Sequence, residues 1–298
     1  MSKKKTKKNI AISIIESIGK TIALIPKGLY IVSETIVLSV TNLASKSFDK
    51  SKKEIQEDSN EKSSEKISID PEIKKKLKSV DPEYTQFELI EAKTGNLDDF
   101  ESYLHTKNST IGIILGKRGS GKSAIGLKML ENIKSKIGKE CYAMGFENTS
   151  LPWYIKAIDD INQIKNNSFV LIDEGGILFS SRNAMSTPNK ILSELILVAR
   201  HKDLSIIFIS QNSSNLDVNI IRQADYLIMK PSSLLQKDFE RKVIKEVYTD
   251  VKSDFKKYND ILGITYIYSD DFRGFVTNSL PSFWTTNLSK SFKDYKKN

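Results

Sequence analysis

With 298 residues, the chain is long enough for one large α/β domain with appendages but offers little room for a second catalytic domain. Its formal net charge of +9 favours polyanionic partners, either nucleic acid or an anionic membrane face. Its one cysteine cannot form an internal disulfide bond, and together with two histidines it excludes a zinc site of the usual ligand spacing. The composition therefore predicts a protein of a reducing compartment, the cytoplasm.

The N-terminal region, residues 1–45, joins a basic arm to a long apolar segment. Five lysines and no acidic residue lie within the first eight positions. From Ile10 to Ala44, polar residues recur at helical spacing and form one narrow stripe on an otherwise apolar helix. Charged residues interrupt this segment too often for a membrane-spanning helix, and Pro26 predicts a kink or a break.

Several interpretations of the segment 10–44 stay open. A helix lying on an anionic membrane surface is favoured, because a basic arm precedes it. A helix buried against a partner or a neighbouring subunit comes second. The internal charges and the missing small-residue cleavage site disfavour a signal peptide. The alternative without a partner is a core helix of the main domain.

Residues 46–79 are rich in lysine, glutamate and serine, so they cannot bury enough apolar surface to fold and are predicted to form a charged, flexible linker. The folded domain is predicted to span residues 80–298. Aromatic and apolar residues return from Pro82 onward and indicate a short strand and a helix. We expect both to pack beside the next strand, Ile111–Leu115.

That strand opens the sequence IGIILGKRGSGKS, which ends at Ser123 and is followed by apolar residues at helical spacing up to Ile137. A strand, a glycine-rich turn and a helix are the context of a phosphate-binding P-loop. The predicted nucleotide-binding residues are Gly116, Lys117, Arg118, Gly119, Ser120, Gly121, Lys122 and Ser123. Lys122 would reach the β- and γ-phosphates, and the Ser123 hydroxyl would complete the shell of a Mg²⁺ ion.

A second motif follows a predicted strand, Cys141–Phe146, and a predicted helix, Trp153–Ile164. Four apolar residues, Phe169 to Ile172, run into Asp173 and Glu174, the pattern of a Walker B strand. Asp173 would hold the Mg²⁺ ion through its water shell, and Glu174 would polarise the attacking water. The sequence thus predicts ATP and Mg²⁺ as cofactors.

The remaining elements alternate between helix and strand, which predicts an α/β fold with a mostly parallel sheet and helices on both faces, a RecA-like P-loop core. A predicted helix leads into an apolar strand that ends in Gln211, where a sensor of the γ-phosphate is expected. The predicted elements are Lys190–His201, Leu204–Ser210, Leu216–Arg222, Tyr226–Met229, a long helix Leu234–Tyr258, a hairpin of Ile264–Tyr268 and Gly274–Thr277, and a basic terminal helix Leu280–Asn298 whose Trp284 packs on the domain.

The class of P-loop protein follows from what accompanies the two motifs. The base-reading N-K-x-D sequence of GTPases is absent, since Asn189-Lys190 is followed by Ile191 and Leu192. Small-molecule kinases usually lack a glutamate after the Walker B aspartate, whereas Glu174 suits the activation of water. The sequence therefore predicts an ATPase.

At this level of detail the chain resembles the FtsK–HerA superfamily of P-loop ATPases over roughly Ile111 to Met229. The segments GKRGSGKS, LIDE and LVARHKDLSIIFISQ carry the resemblance. It implies that Gln211 is the sensor and that Arg200, which closes a helix, is an arginine finger with Arg118, Arg182 and Arg222 as rivals. It also implies a homo-oligomer, often a hexameric ring, that moves double-stranded DNA.

Two functions of different classes remain. The first is a ring ATPase for DNA translocation or packaging, which the basic charge favours. The second is a membrane-associated ATPase for protein assembly, secretion or virion morphogenesis without DNA contact, which the segment 10–44 favours through peripheral attachment to the inner face of a membrane. A viral, mobile-element or cellular origin is open.

Overall fold

The structure is a computed structural model that describes residues 77–146, 150–173 and 188–285. The predicted amphipathic helix, nearly all of the predicted linker, Glu174 and the last part of the predicted terminal helix lie outside the described residues. The boundaries at 45 and 79 therefore stay predictions. Among the helices that are described, none is both long and apolar enough to cross a membrane.

Within the described ranges, nine strands form one sheet in the order β1-β9-β8-β7-β2-β6-β5-β3-β4. The strands are β1 (Glu88–Gly95), β2 (Ile111–Leu115), β3 (Glu140–Met144), β4 (Ile155–Ile158), β5 (Ser168–Asp173), β6 (Ser205–Ser210), β7 (Tyr226–Met229), β8 (Thr265–Ser269) and β9 (Phe272–Thr277). All neighbours from β7 to β4 pair in parallel, whereas β8, β9 and β1 are antiparallel additions. The predicted mostly parallel sheet is confirmed.

Helices cover both faces of the sheet, as predicted. They are α1 (Leu97–Thr106), α2 (Lys122–Ile137), α3 (Pro188–His201), α4 (Val218–Arg222), α5 (Leu234–Asp238), α6 (Lys242–Asp250) and α7 (Lys252–Lys257). Neighbouring residues of a buried strand point to opposite faces, so Ile113 lies in the core under α3, α4 and α6, while Ile114 lies in the core under α1 and α2. Trp284 packs against the second core, as expected.

The predicted helix Trp153–Ile164 is wrong, because its centre is the edge strand β4, followed by a 3₁₀ turn at Ile161–Gln163. Ile155 and Ile158 are separated by three residues, a spacing that suits one face of a helix. In the structure they point into the two different cores, as an odd separation in a strand requires. The backbone of β4 forms its hydrogen bonds with β3 in parallel pairing, and the β-branched isoleucines favour a strand.

The predicted continuous helix Leu234–Tyr258 is also wrong, since it is divided into α5, α6 and α7. Arg241 has extended backbone angles, φ −61° and ψ 147°, immediately before α6 begins. Its guanidinium donates hydrogen bonds to the carbonyl oxygens of Ser213 and Leu216. These distant contacts hold the backbone out of the helical conformation and thus override a favourable helical pattern.

The first strand differs from the expectation in its neighbours. β1 does not lie beside β2; it pairs with β9 at the outer edge of the sheet. The turn after it depends on Gly95, which has φ +74° and whose added Cβ would lie 1.9 Å from the Asp271 carbonyl oxygen. The helix that follows, α1, packs against α2, and its Phe100 lies in the same core as Ile114 of β2.

Candidate nucleotide-binding site

The carboxyl ends of four parallel strands meet at one edge of the sheet. Leu115 at the end of β2 pairs with Ser210 of β6 on one side and with Met229 of β7 on the other. Asp173, the last residue of β5, pairs with Ile209 of β6. This register gathers the glycine-rich loop, Gln211 and Asp173 at the edge where parallel α/β sheets bind ligands.

The loop between β2 and α2 has the backbone that a phosphate cradle needs. Gly116, Gly119 and Gly121 have φ values of +150°, +77° and +88°. An added Cβ at Gly116 would lie 2.6 Å from Lys230 Cβ, so only glycine fits there, whereas the space beside Gly119 and Gly121 is open to 4 Å. No side chain caps the N-terminus of α2, which leaves this end of the helix to an anion.

Lys122 is buried to 8% exposure and folds back onto its own loop. Its ammonium group donates to the carbonyl oxygens of Gly116 at 2.7 Å and Lys117 at 3.0 Å. In the same loop the buried Ser120 hydroxyl oxygen has no hydrogen-bond partner among the described residues. A phosphate in the loop would satisfy this hydroxyl and offer Lys122 a charged acceptor.

The donor set at this edge suits a Mg²⁺ ion shared with nucleotide phosphates. Asp173 is buried at the end of β5, and Ser123 is half-buried in the first turn of α2. In the part of the chain that the structure describes, no group of three or more His, Cys, Asp or Glu residues is placed to bind a metal ion, so the phosphates and waters would have to supply most of the ligands. One carboxylate, one hydroxyl, waters and phosphate oxygens together match the ligands that Mg²⁺ prefers.

The other predicted site residues lie at different ends of β6. Gln211 follows this strand directly, between the P-loop strand and the acidic strand, as expected. Arg200 is exposed in the last turn of α3, before β6 begins. The strand spans roughly 20 Å at about 3.3 Å per residue, so Arg200 lies at the edge opposite its own P-loop. Lys117 and Arg118 are exposed on the loop itself.

Lys230, which follows β7 and is only 2% exposed, was not among the predicted site residues. Its amide donates to the Leu115 carbonyl at 2.8 Å, and its ammonium group donates to the Gly263 carbonyl at 2.7 Å. Burial lowers the pKa of Lys230 to about 7. The sequence pattern that could have indicated this residue is a lysine directly after the apolar strand YLIM, since the end of β7 lies next to the end of β2.

Lys230 and Pro231 together support the P-loop from the side. The Pro231 carbonyl accepts a hydrogen bond from the Lys117 amide at 3.1 Å. The Tyr248 hydroxyl on α6 donates to the Lys230 carbonyl at 3.1 Å. The start of the P-loop is therefore connected to α6 through one short segment.

Comparison with known proteins finds similarity to solved structures. No protein-family model and no curated protein matches the chain. The genome packaging NTPase B204 from Sulfolobus turreted icosahedral virus 2, in complex with AMP, is 14% identical with a TM-score of 0.42, over 59% of this chain and 100% of that chain. The pCW3 conjugation coupling protein TcpA, in its monomer form with ATPγS, is 12% identical with a TM-score of 0.39, over 62% of this chain and 65% of that chain. EssC (ATPases 2 and 3) from Geobacillus thermodenitrificans is 12% identical with a TM-score of 0.37, over 73% of this chain and 52% of that chain.

Proposed function

We propose that the chain binds Mg²⁺–ATP at the edge formed by β2, β6 and β5 and hydrolyses it as a P-loop motor of FtsK–HerA type. One observation carries the proposal: the glycine loop with Lys122, the sensor position Gln211 and the acidic Asp173 lie at the ends of three adjacent strands. A glycine-rich turn that matches the motif by chance would not have these partners beside it.

Each residue has a role that follows from its position. The loop amides and the N-terminus of α2 bind the phosphates, and Lys122 exchanges its carbonyl acceptors for phosphate oxygens. Ser123 and Asp173 would hold Mg²⁺, which would neutralise charge on the phosphates. Gln211 contacts the γ-phosphate or the water beside it. Glu174, the residue after Asp173, accepts a proton from that water.

The proposed motor is an oligomer, because an arginine finger at Arg200, at the opposite edge of the sheet, would act on the P-loop of a neighbouring subunit. A neighbouring subunit would receive it, and a ring would give every site such an arginine. DNA is the proposed cargo, on the basis of the net charge of +9. The second candidate is a membrane-associated ATPase that assembles proteins, and the apolar segment 10–44 favours it.

The test measures ATP turnover of the full chain alone, with double-stranded DNA and with anionic liposomes. Lys122→Ala should abolish turnover, whereas Lys136→Ala, an exposed lysine on the same helix, should leave it unchanged. Glu174→Gln should bind ATP and lose turnover. Stimulation by DNA supports the DNA motor, and stimulation by liposomes alone supports the second candidate. A Lys122→Ala protein with full turnover would refute the assignment of the site.

A further inference from the structure

The loop that follows Gln211 is held by the segment between α5 and α6. We call residues 211–216 the sensor loop. Glu240 is 7% exposed, and its carboxylate accepts a hydrogen bond from the Ser213 amide at 2.7 Å. A buried carboxylate without a partner is costly, so this bond fixes Glu240 and Ser213 together.

Arg241 binds the same loop with both its backbone and its side chain. Its amide donates to the Ser213 hydroxyl at 2.9 Å, and its Nε donates to the Ser213 carbonyl at 3.1 Å. Its Nη2 donates to the Leu216 carbonyl at 2.7 Å. Two consecutive residues therefore bind the amide, the hydroxyl and the carbonyl of Ser213.

The residues on either side of Gln211 are fixed as well. The Ser210 hydroxyl donates to the Asn212 carbonyl at 2.7 Å and accepts from the Asn212 amide at 3.1 Å. The Asn212 side chain donates to the Gln236 carbonyl of α5 at 3.3 Å. The backbone of Gln211 thus lies between two anchored positions, next to the P-loop strand and the acidic strand.

We propose that Glu240 and Arg241 are positioning residues that hold Gln211 in place for catalysis, an inference that rests on the proposed ATPase function. A sensor side chain acts only when its amide is placed to within a fraction of an ångström of the reacting group. We call the hydrogen bonds of Glu240 and Arg241 to the sensor loop the brace; it requires a helix break at Arg241 and a buried carboxylate at Glu240.

The first test separates turnover from binding. Glu240→Ala leaves the Ser213 amide without its acceptor, and we expect kcat to fall about tenfold or more while KM changes less than about twofold. Glu240→Gln retains an oxygen that accepts from this amide, so it should recover most of the activity. Equal losses in kcat for Glu240→Ala and Glu240→Gln, or an unchanged kcat in Glu240→Ala, would overturn the proposal.

The second test asks whether the brace acts through Gln211. If it does, Glu240→Ala should lower kcat by less than about twofold in a Gln211→Ala background, although it has a large effect in the parent. If Glu240→Ala lowers kcat by the same factor in the parent and in the Gln211→Ala background, Glu240 has only a structural role. If Glu240→Ala does not fold, Ser213→Ala can replace it in this double-mutant cycle with Gln211→Ala. It removes only the hydroxyl that accepts from Arg241 and so disturbs the loop less.

A control variant tests whether a loss of folding stability alone lowers kcat. Tyr154 donates a hydrogen bond to the fully buried Glu131 at 2.9 Å in the other core. Tyr154→Phe should lower the urea midpoint and leave the kcat of the folded protein unchanged. Absence of ATP turnover in the parent would refute the proposed function, whereas turnover that is insensitive to the brace in an active parent would refute only this inference.

Discussion

Lys230→Met should change the pH dependence of folding stability in a direction that the structure fixes. Lys230 is buried beside the P-loop, and desolvation lowers its pKa from 10.5 to about 7. Methionine has a similar length and no charge. The Gly263 carbonyl retains the Thr265 hydroxyl as a donor at 2.8 Å, so the substitution leaves no unsatisfied acceptor.

The magnitude follows from proton binding in the two states. Between about pH 7 and pH 10.5 the unfolded chain holds a proton on Lys230 that the folded chain has released, so the free energy of unfolding rises with pH in this window. The slope approaches about 1.4 kcal/mol per pH unit. Since Lys230 is half protonated near its folded pKa, the gain from pH 7 to pH 9 is roughly 2 kcal/mol.

The assay is urea unfolding of the parent and of Lys230→Met without nucleotide at pH 7, 8 and 9. The stability of the parent relative to the variant should rise by roughly 2 kcal/mol across this range. Lys256→Met, which removes an exposed lysine from α7, should follow the parent at every pH. Parallel curves for the parent and Lys230→Met would mean that the buried amine keeps an ordinary pKa and would refute the reasoning.

Three further predictions concern the loop, the N-terminus and the oligomer. Gly116→Ala places a Cβ 2.6 Å from Lys230 Cβ at a left-handed φ, so it should cost about 1–3 kcal/mol in urea unfolding and weaken ATP binding, more than Gly119→Ala, where the space is open. Deleting residues 1–45 should abolish flotation with anionic liposomes and leave ATP binding intact; equal flotation would remove the membrane hypothesis. Mixing Arg200→Ala with Lys122→Ala subunits, under conditions of exchange and with assembly checked by sedimentation, should restore turnover that each variant lacks, whereas an active Arg200→Ala protein alone would return Arg200 to a helix-capping role.

The parts of the fold that depend on short-range patterns were predictable. The strand and helix around the P-loop and the strand that ends at Asp173 follow from apolar runs and from the glycines of the loop. The β8–β9 hairpin follows from two apolar runs that Asp270 and Asp271 separate. The predicted adjacency of Asp173, Gln211 and the P-loop needed only the rule that parallel strands end at one edge. The helix predicted around Ile155 and Ile158 was wrong because a separation of three residues fits one face of a helix and equally the two opposite faces of a strand.

The contacts that shape the site could not be predicted because they join residues far apart in sequence. Lys230 binds Gly263, and Glu240 binds Ser213. A helical pattern that is correct for most of the segment 234–258 contains no sign that Arg241 is drawn to two carbonyls of the sensor loop. Tertiary hydrogen bonds decide the conformation there, since breaking one helical turn costs less than leaving buried polar groups unpaired.

This arrangement gives the α5–α6 region two separate connections to the proposed nucleotide site. Through Tyr248 and Lys230 it contacts the start of the P-loop, and through Glu240 and Arg241 it contacts the loop after Gln211. A shift of α6 would therefore disturb phosphate binding and the sensor together, whereas a change confined to Glu240 would disturb the sensor alone. Tyr248→Phe and Glu240→Ala should consequently differ in kind: the first should raise KM, and the second should lower kcat. A fall in kcat alone for both variants would mean that the P-loop does not depend on the Tyr248–Lys230 hydrogen bond for its position.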